Sequence, residues 1–233
     1  SMSAPFYVSP EQIMADKAEF ARKGIARGKS IIAAEYAEGI LLVAENSTSL
    51  SKIGEIYDRI AFAGVGKFSE FDQLRKGGVR YADTKGYAYS REDVGGKALA
   101  NEYSRVIGEA FTRDPKPLEI EILVAEVGDD RWDDHRTNRL YRVTFDGFIS
   151  EHSRFCVIGG KVDDVESVMA GEYEEGMPVA GILRLGIRAL EGGTDRAASL
   201  DESNLEVSIM RSATSGRKFE RLSSDEIRDA LSD

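Results

Sequence analysis

Apolar residues along the chain change period several times, and each change marks an element. Met14, Ala18, Ala21 and Ile25 recur at helical spacing with Ile13 beside them, while Asp16, Lys17, Glu19, Arg22, Lys23 and Arg27 fill the opposite face. That pattern predicts an amphipathic helix over 10–27. Ser9 offers a hydroxyl cap, Pro10 suits a first helical position that needs no N–H, and Gln12 can close a capping box. Gly28 is the expected stop. Apolar runs follow at Ser30 to Tyr36 and Gly39 to Glu45, joined by Ala37-Glu38, and a third spans Ile56 to Ala63 before Gly64-Val65-Gly66. Runs without polar alternation predict strands covered on both faces. A helix over 67–76 would turn Phe68, Phe71 and Leu74 inward and stop at Gly77-Gly78. Ser90-Arg91-Glu92-Asp93 would open the longest helix, reaching about Thr112 and burying Leu99, Tyr103, Val106, Ile107 and Ala110.

Beyond Pro115 and Pro117 the period is two. Ile120, Ile122 and Val124 alternate with Glu119 and Glu121, and Tyr141, Val143 and Phe145 alternate with Arg142 and Thr144. Asp146-Gly147 is a turn signal. The charged stretch Gly128 to Asn138 between these strands reads as an exposed hairpin loop. Phe155 to Ile158 is a further strand, ended by Gly159-Gly160. Val165, Met169 and Tyr173 pattern one helix, and Val179, Ile182, Leu183, Gly186, Ile187 and Leu190 a second that ends at Gly192-Gly193. Leu205, Val207 and Ile209 form a strand, Phe219 to Leu222 one more, and Ser223 with Glu226 is a capping box for a terminal helix. Strands come in runs and helices in pairs, which excludes the strict alternation of a doubly wound fold. The order predicts an α+β protein, a four-layer α-β-β-α sandwich of two antiparallel sheets with helices outside both. With no break in composition, residues 9–233 are expected to form a single domain behind a tail, 1–8.

The 233 residues are 42% hydrophobic, enough for a full core and too many for a disordered chain. No apolar run is long enough to span a bilayer, the longest being Gly39 to Ala44, so no membrane partner is expected. Asp and Glu number 41 against 31 Lys and Arg, a net charge of −10 that argues against nucleic acid as a partner. A single cysteine, Cys156, excludes an internal disulfide and leaves the cytoplasm as the expected compartment. With His135 and His152 it is too little for a His/Cys zinc site, so no metal or other cofactor is expected. Ser1-Met2-Ser3 reads as a tag-cleavage scar running into the natural start, with no signal peptide. Gly64 and Gly66 follow a strand but lack the third glycine of a dinucleotide fingerprint, so they read as a structural turn. Asp129, Asp130, Asp133 and Asp134 cluster around Trp132 without EF-hand spacing and read as a solvated loop, His135 included. Cys156, in an apolar strand, reads as a buried hydrophobe rather than a nucleophile.

Several segments together resemble a known family. Ser9-Pro10-Glu11 and Glu19-Phe20-Ala21-Arg22-Lys23-Gly24-Ile25-Ala26-Arg27-Gly28 are similar to the helix that precedes the first strand in proteasome α subunits. Gly86-Tyr87-Ala88-Tyr89-Ser90-Arg91-Glu92-Asp93-Val94 resembles that family's tyrosine-rich loop before its second long helix. The likeness continues through Tyr141 to Gly147 and through Phe155-Cys156-Val157-Ile158-Gly159-Gly160. It is nearest to the actinobacterial type, given Ala82-Asp83-Thr84-Lys85-Gly86-Tyr87 and Ala21-Arg22-Lys23-Gly24. The chain departs from the wider family in lacking the Tyr-Asp-Arg gating tripeptide, with Phe6-Tyr7-Val8 in its place, and in having Gln12 where glycine is usual.

The resemblance implies an N-terminal-nucleophile hydrolase fold. That chemistry needs the nucleophile to be the first residue of the first strand, so that its free α-amine serves as base. Here the strand begins near Ser30, behind a tail and a well-capped helix, and no Gly-Thr processing pair precedes it. No catalytic residue is therefore expected. The resemblance implies a structural subunit of heptameric outer rings that cap rings of catalytic β subunits, narrow the entrance for unfolded protein substrates and dock a hexameric ATPase. Phe6, Tyr7, Val8, Ser9 and Pro10 would form the gate. Lys52 matches the lysine that receives the activator's C-terminal carboxylate, and Gly28 and Glu19 match other positions lining that pocket. From spacing alone the three are a surface lysine, a helix cap and a helix-surface charge. Tyr87 and Tyr89 are read either as ring-interface anchors or as core residues. Two competing readings are a catalytic β-type subunit exposed by cleavage before Ser30, and an unrelated acidic scaffold.

Overall fold

Each continuous apolar run divides into two sets of alternate residues, one for each face of its strand. The computed structural model describes residues 7–90, 94–129, 137–192 and 199–232. In strand β1 (Ile31–Tyr36), Ile31 and Ala33 face one core while Ile32 and Ala34 face another. Strand β2 (Gly39–Glu45) repeats the division, with Ile40, Leu42 and Ala44 set against Leu41 and Val43. In β4 (Ile60–Gly66) and β5 (Ile120–Glu126), Ala61, Ala63, Leu123 and Ala125 join the first core, and Ile60, Phe62, Ile120, Ile122 and Val124 a third. The shared core lies between two five-stranded sheets, and each of the others lies between one sheet and its helices. The period-two geometry of a strand makes one apolar run serve two layers.

The remaining elements complete this arrangement. Helix α1 (Pro10–Ala26) precedes β1, and β3 (Ile53–Tyr57) precedes β4. Helices α2 (Phe68–Ala88) and α3 (Gly96–Arg113) separate β4 from β5. Strands β6 (Arg139–Val143), β7 (Ile149–His152) and β8 (Phe155–Ile158) lead to α4 (Val162–Glu172) and α5 (Val179–Gly192). Strands β9 (Leu205–Arg211) and β10 (Phe219–Arg221) and helix α6 (Ser224–Ser232) close the chain. One sheet has the order β10-β9-β2-β1-β8, the other β3-β4-β5-β6-β7, and every pairing is antiparallel. Helices α4, α5 and α6 cover the first sheet, and α2 and α3 the second. This is the α-β-β-α sandwich that the element order predicts.

Local signals and tertiary packing disagree at several points. The run expected as one strand over Ile56 to Ala63 is a hairpin, β3–β4, turning at Asp58-Arg59. Helix α2 does not stop at Gly77-Gly78 but continues to Ala88, so Gly86 and Tyr87 are helical rather than part of a loop. A Cβ on Gly78 would stand 1.9 Å from the hydroxyl oxygen of Tyr103. That hydroxyl donates to the Leu74 carbonyl at 2.8 Å, so the glycine is where α3 presses against α2. Helix α3 begins at Gly96 under a Gly95 cap with no side-chain hydrogen bond, and Arg91 to Asp93 lie outside the described residues.

Strand β5 is buried throughout, including Glu121 and Glu126, because each carboxylate meets an arginine. Strand β7, at the sheet edge, has one apolar residue, Ile149, followed by Ser150, Glu151 and His152, too short a pattern to mark a strand. At α1, Ser9 accepts from the Gln12 backbone N–H as expected, yet the Gln12 side chain donates to Asp16 instead of closing a box. The helix stops one residue early, at Ala26, with Arg27 as a right-handed cap, so Gly28 is not a left-handed stop. The capping box of α6 does form, Ser223 and Glu226 exchanging hydrogen bonds at 3.1 Å in each direction.

Gly78→Ala is expected to destabilise the chain by about 1–3 kcal/mol, because Tyr103 must leave the Leu74 carbonyl. Gly77→Ala meets nothing within 4 Å and is expected to stabilise it by roughly 0.5–1 kcal/mol through helix propensity. Urea unfolding of the two variants checks this; equal midpoints would contradict the assignment of Gly78 to helix contact.

Candidate functional site

Helix α1 lies across one end of the inter-sheet space. Ala21 and Ile25 are buried in the inter-sheet core, with Met14 and Ala18 packed against it. The turn after α1 is fixed by its own backbone: Gly28 N–H and Gly160 N–H both donate to the Ile25 carbonyl, at 3.0 and 3.3 Å. A Cβ on Gly28 would meet Val65 Cγ1 at 2.5 Å, so a side chain there collides with β4. Strand β1 starts from this turn. The Ser30 hydroxyl is buried and donates to the Gly159 carbonyl at 2.6 Å, and the Ser30 nitrogen is in a peptide bond with Lys29. Neither a free hydroxyl nor a free amine stands where an N-terminal nucleophile would be.

Below α1, Glu121 accepts from Gly159 N–H at 3.2 Å and pairs with Arg142 Nε at 2.9 Å. Both belong to an open cleft of about 610 Å³ that also touches Arg22, Ile25 and Lys161. Helix α1 covers the mouth, and the ion pair lines the cleft that stays open beside it.

Lys52 stands at the same end, just before β3. Its Nζ donates to the Glu45 carbonyl at the end of β2, at 3.1 Å. An ammonium has three donors, and among the described residues no other group hydrogen-bonds this one. Burial draws the Lys52 pKa below the ordinary lysine value; the charges of Glu206 and Glu45 oppose this, and Lys29 adds to it. Lys29 pairs loosely with the Glu45 carboxylate at 3.9 Å. Gly28, the residue before Lys29, is therefore on the same edge as Lys52. Glu19 is not drawn into the group: it pairs with Lys23 at 3.0 Å, both side chains being largely exposed.

The rest of the expected site residues are dispersed. Tyr7 and Val8 are exposed ahead of the Ser9 cap and Pro10, and Phe6 lies outside the described residues. Tyr87 and Tyr89, at 95% and 75% exposure, are surface residues, which removes the core alternative. Cys156 is buried, and burial pushes its thiol pKa far up, as suits a hydrophobe. Burial likewise lowers the pKa of His152, whose Nε2 is 2.8 Å from Ser150 Oγ. Of the acidic loop expected to be solvated, Asp129 is instead buried against Lys218 Nζ at 3.5 Å. Asp130, Trp132, Asp133, Asp134 and His135 lie outside the described residues.

Sequence reasoning missed Glu206. It sits between Leu205 and Val207, whose apolar alternation marked β9, and its partners are remote in the chain. The one available signal was a charged residue with the parity of Met210, which faces the inter-sheet core.

A chain of two stacked antiparallel sheets, with flanking helix pairs and a first strand starting at the sandwich mouth, has the build of the N-terminal-nucleophile hydrolase class. The family model described as proteasome subunit matches residues 25–210. A proteasome subunit alpha from Renibacterium salmoninarum is 49% identical, over 99% of this chain and 96% of its own length. One from an Arthrobacter species is 51% identical over 99% of both chains, and one from Acidimicrobium ferrooxidans is 47% identical over all of this chain and 97% of its own. The chain belongs to the proteasome subunit family, among its α subunits of the actinobacterial type. Among the described residues, no helix is long and apolar enough to cross a membrane.

Proposed function

We propose that this chain is a non-catalytic ring subunit of a protein-degrading particle, whose peptide-bond chemistry belongs to separate β subunits. The observation that carries the reading is the seat of α1: the helix occupies the sandwich mouth, and the nitrogen of Ser30 is in a peptide bond. In an N-terminal-nucleophile fold, that position is the catalytic one. A catalytic β-type role would require loss of a helix that buries Ala21 and Ile25. An unrelated scaffold role is at odds with the family membership.

In the proposed particle, seven copies form each outer ring and guard the entrance for unfolded protein. The tail through Val8, with Ser9 and Pro10 at its junction with α1, narrows that entrance. Apolar exposure at Tyr7 supports this, because an apolar side chain gains by clustering with its ring neighbours. Tyr87 and Tyr89 supply exposed aromatic surface for contact with neighbouring subunits. Lys52 receives the terminal carboxylate of an activating ATPase with Gly28 on the same edge, and Glu19, apart from them within one chain, lines the same pocket where neighbouring subunits meet. A half-buried ammonium with donors to spare is suited to that contact, which is worth about 1.5–3 kcal/mol when charge-assisted. The cytoplasm is the compartment this role implies.

Two measurements on particles assembled with catalytic subunits test the reading. With Lys52→Ala, the ratio of ATPase-stimulated to unstimulated degradation is expected to fall close to one; a ratio equal to wild type would remove the docking role. Deletion through Val8 is expected to speed unstimulated hydrolysis of a peptide substrate, and an unchanged rate would sink the gate.

A further inference from the structure

Glu206 belongs to β9 in one sheet, yet its carboxylate also binds the start of β3 in the other. Oε1 accepts from the Lys52 backbone N–H at 2.8 Å and from the Asn46 side-chain amide at 2.9 Å. Oε2 accepts from the Ile53 backbone N–H at 3.0 Å and from Arg221 Nη1 at 2.9 Å. Arg221 also donates from Nη2 to the Ile53 carbonyl, so the start of β3 is held on both its donor and acceptor sides. Consecutive N–H groups bound by two oxygens of one carboxylate fix the backbone of Lys52, and with it the direction of its side chain.

The loop between β2 and β3 is closed by the same set of contacts. Asn46 donates to the Leu50 carbonyl at 2.7 Å and accepts from Thr48 N–H at 2.9 Å. Thr48 Oγ1 in turn accepts from Leu50 N–H at 3.2 Å. Asn46 is itself held by Glu206, so one half-buried carboxylate organises the segment from Asn46 to Ile53. An ionised carboxylate is acceptor-only and has room for all four donors, and Arg221 supplies its counter-charge.

We propose that Glu206 is the positioning residue for Lys52: it sets the backbone from which the ammonium reaches the sandwich mouth, and so decides whether the particle recognises a free C-terminal carboxylate. This rests on the reading of Lys52 as the docking lysine. Glu206 touches no ligand in this role; it acts through Lys52. Its negative charge also favours the ammonium form against the burial that disfavours it.

The test uses particles assembled with catalytic subunits and a fluorescein-labelled peptide copied from the C-terminus of the partner ATPase. The peptide is made as the free acid and as the C-terminal amide, and binding is read by fluorescence anisotropy. Wild-type particles are expected to bind the acid about tenfold or more tightly than the amide. Glu206→Ala is expected to bring that preference close to one while amide affinity stays within about twofold. Glu206→Gln, which keeps one acceptor oxygen, is expected to fall between; it decides the matter alone if the alanine particle fails to assemble. A merely structural role would weaken acid and amide together and preserve their ratio, and that result overturns the proposal. So does a wild-type preference in both variants, which leaves the docking role of Lys52 standing. A wild-type preference in Lys52→Ala particles rejects the docking role itself, and the positioning role with it.

Discussion

The seating of Ala21 and Ile25 against the open end of the inter-sheet core determines how the chain enters its first strand. Burial of apolar side chains at that mouth contributes stability roughly in proportion to area, and the polar groups around it are matched. Once α1 is seated, its last turn delivers Gly28 close to Val65 and ties the Ile25 carbonyl to two glycine N–H groups. Strand β1 must then start with Ser30 in mid-chain, its hydroxyl already given to Gly159. The loss of a free α-amine is thus a direct consequence of packing a helix in front of the strand. A fold built to expose a reactive terminus is found here with a helix packed over that position.

A second constraint is that two sheets joined by an apolar core still have to register at their edges. Apolar contacts are non-directional, so alignment comes from the polar pairs at the ends. At the α1 end, Glu121 with Arg142 and Gly159, and Glu206 with Asn46, Lys52, Ile53 and Arg221, reach from one sheet to the other. At the opposite end, Lys218 joins the β9–β10 connection to Asp129 beyond β5. The buried ones among them, Glu121, Asp129 and Lys218, are costly when a single partner is lost. The polar pairs at the α1 end hold the surface around Lys52 to one geometry, the fixity on which the docking proposed for Lys52 would depend.

What could be read from the sequence was whatever local pattern decides. The α6 capping box depends only on residues three apart and forms as expected. The apolar runs of β1 and β2 announced strands covered on both faces, and they serve two cores each. Reading failed where tertiary contacts override local rules. Gly77-Gly78 has the look of a helix stop, but the missing side chain of Gly78 admits Tyr103. Glu121 looks like the wet face of a strand, but Arg142 from β6 covers it. Lys52 stood out only through resemblance, since nothing in its spacing separates it from a surface lysine. Glu206 was invisible because its partners Asn46, Lys52 and Ile53 stand 153 to 160 residues earlier in the chain, and no periodicity encodes such a meeting.

The central claim is that α1 stays attached and that chemistry lies elsewhere. The most direct measurement is native mass spectrometry of the chain co-expressed with a catalytic proteasome subunit, with peptidase activity assayed on the same particles. Ring-sized assemblies in which this chain retains α1 are expected, with hydrolysis that requires the catalytic partner. A new amino terminus at Ser30, or hydrolysis by this chain alone, would contradict that claim.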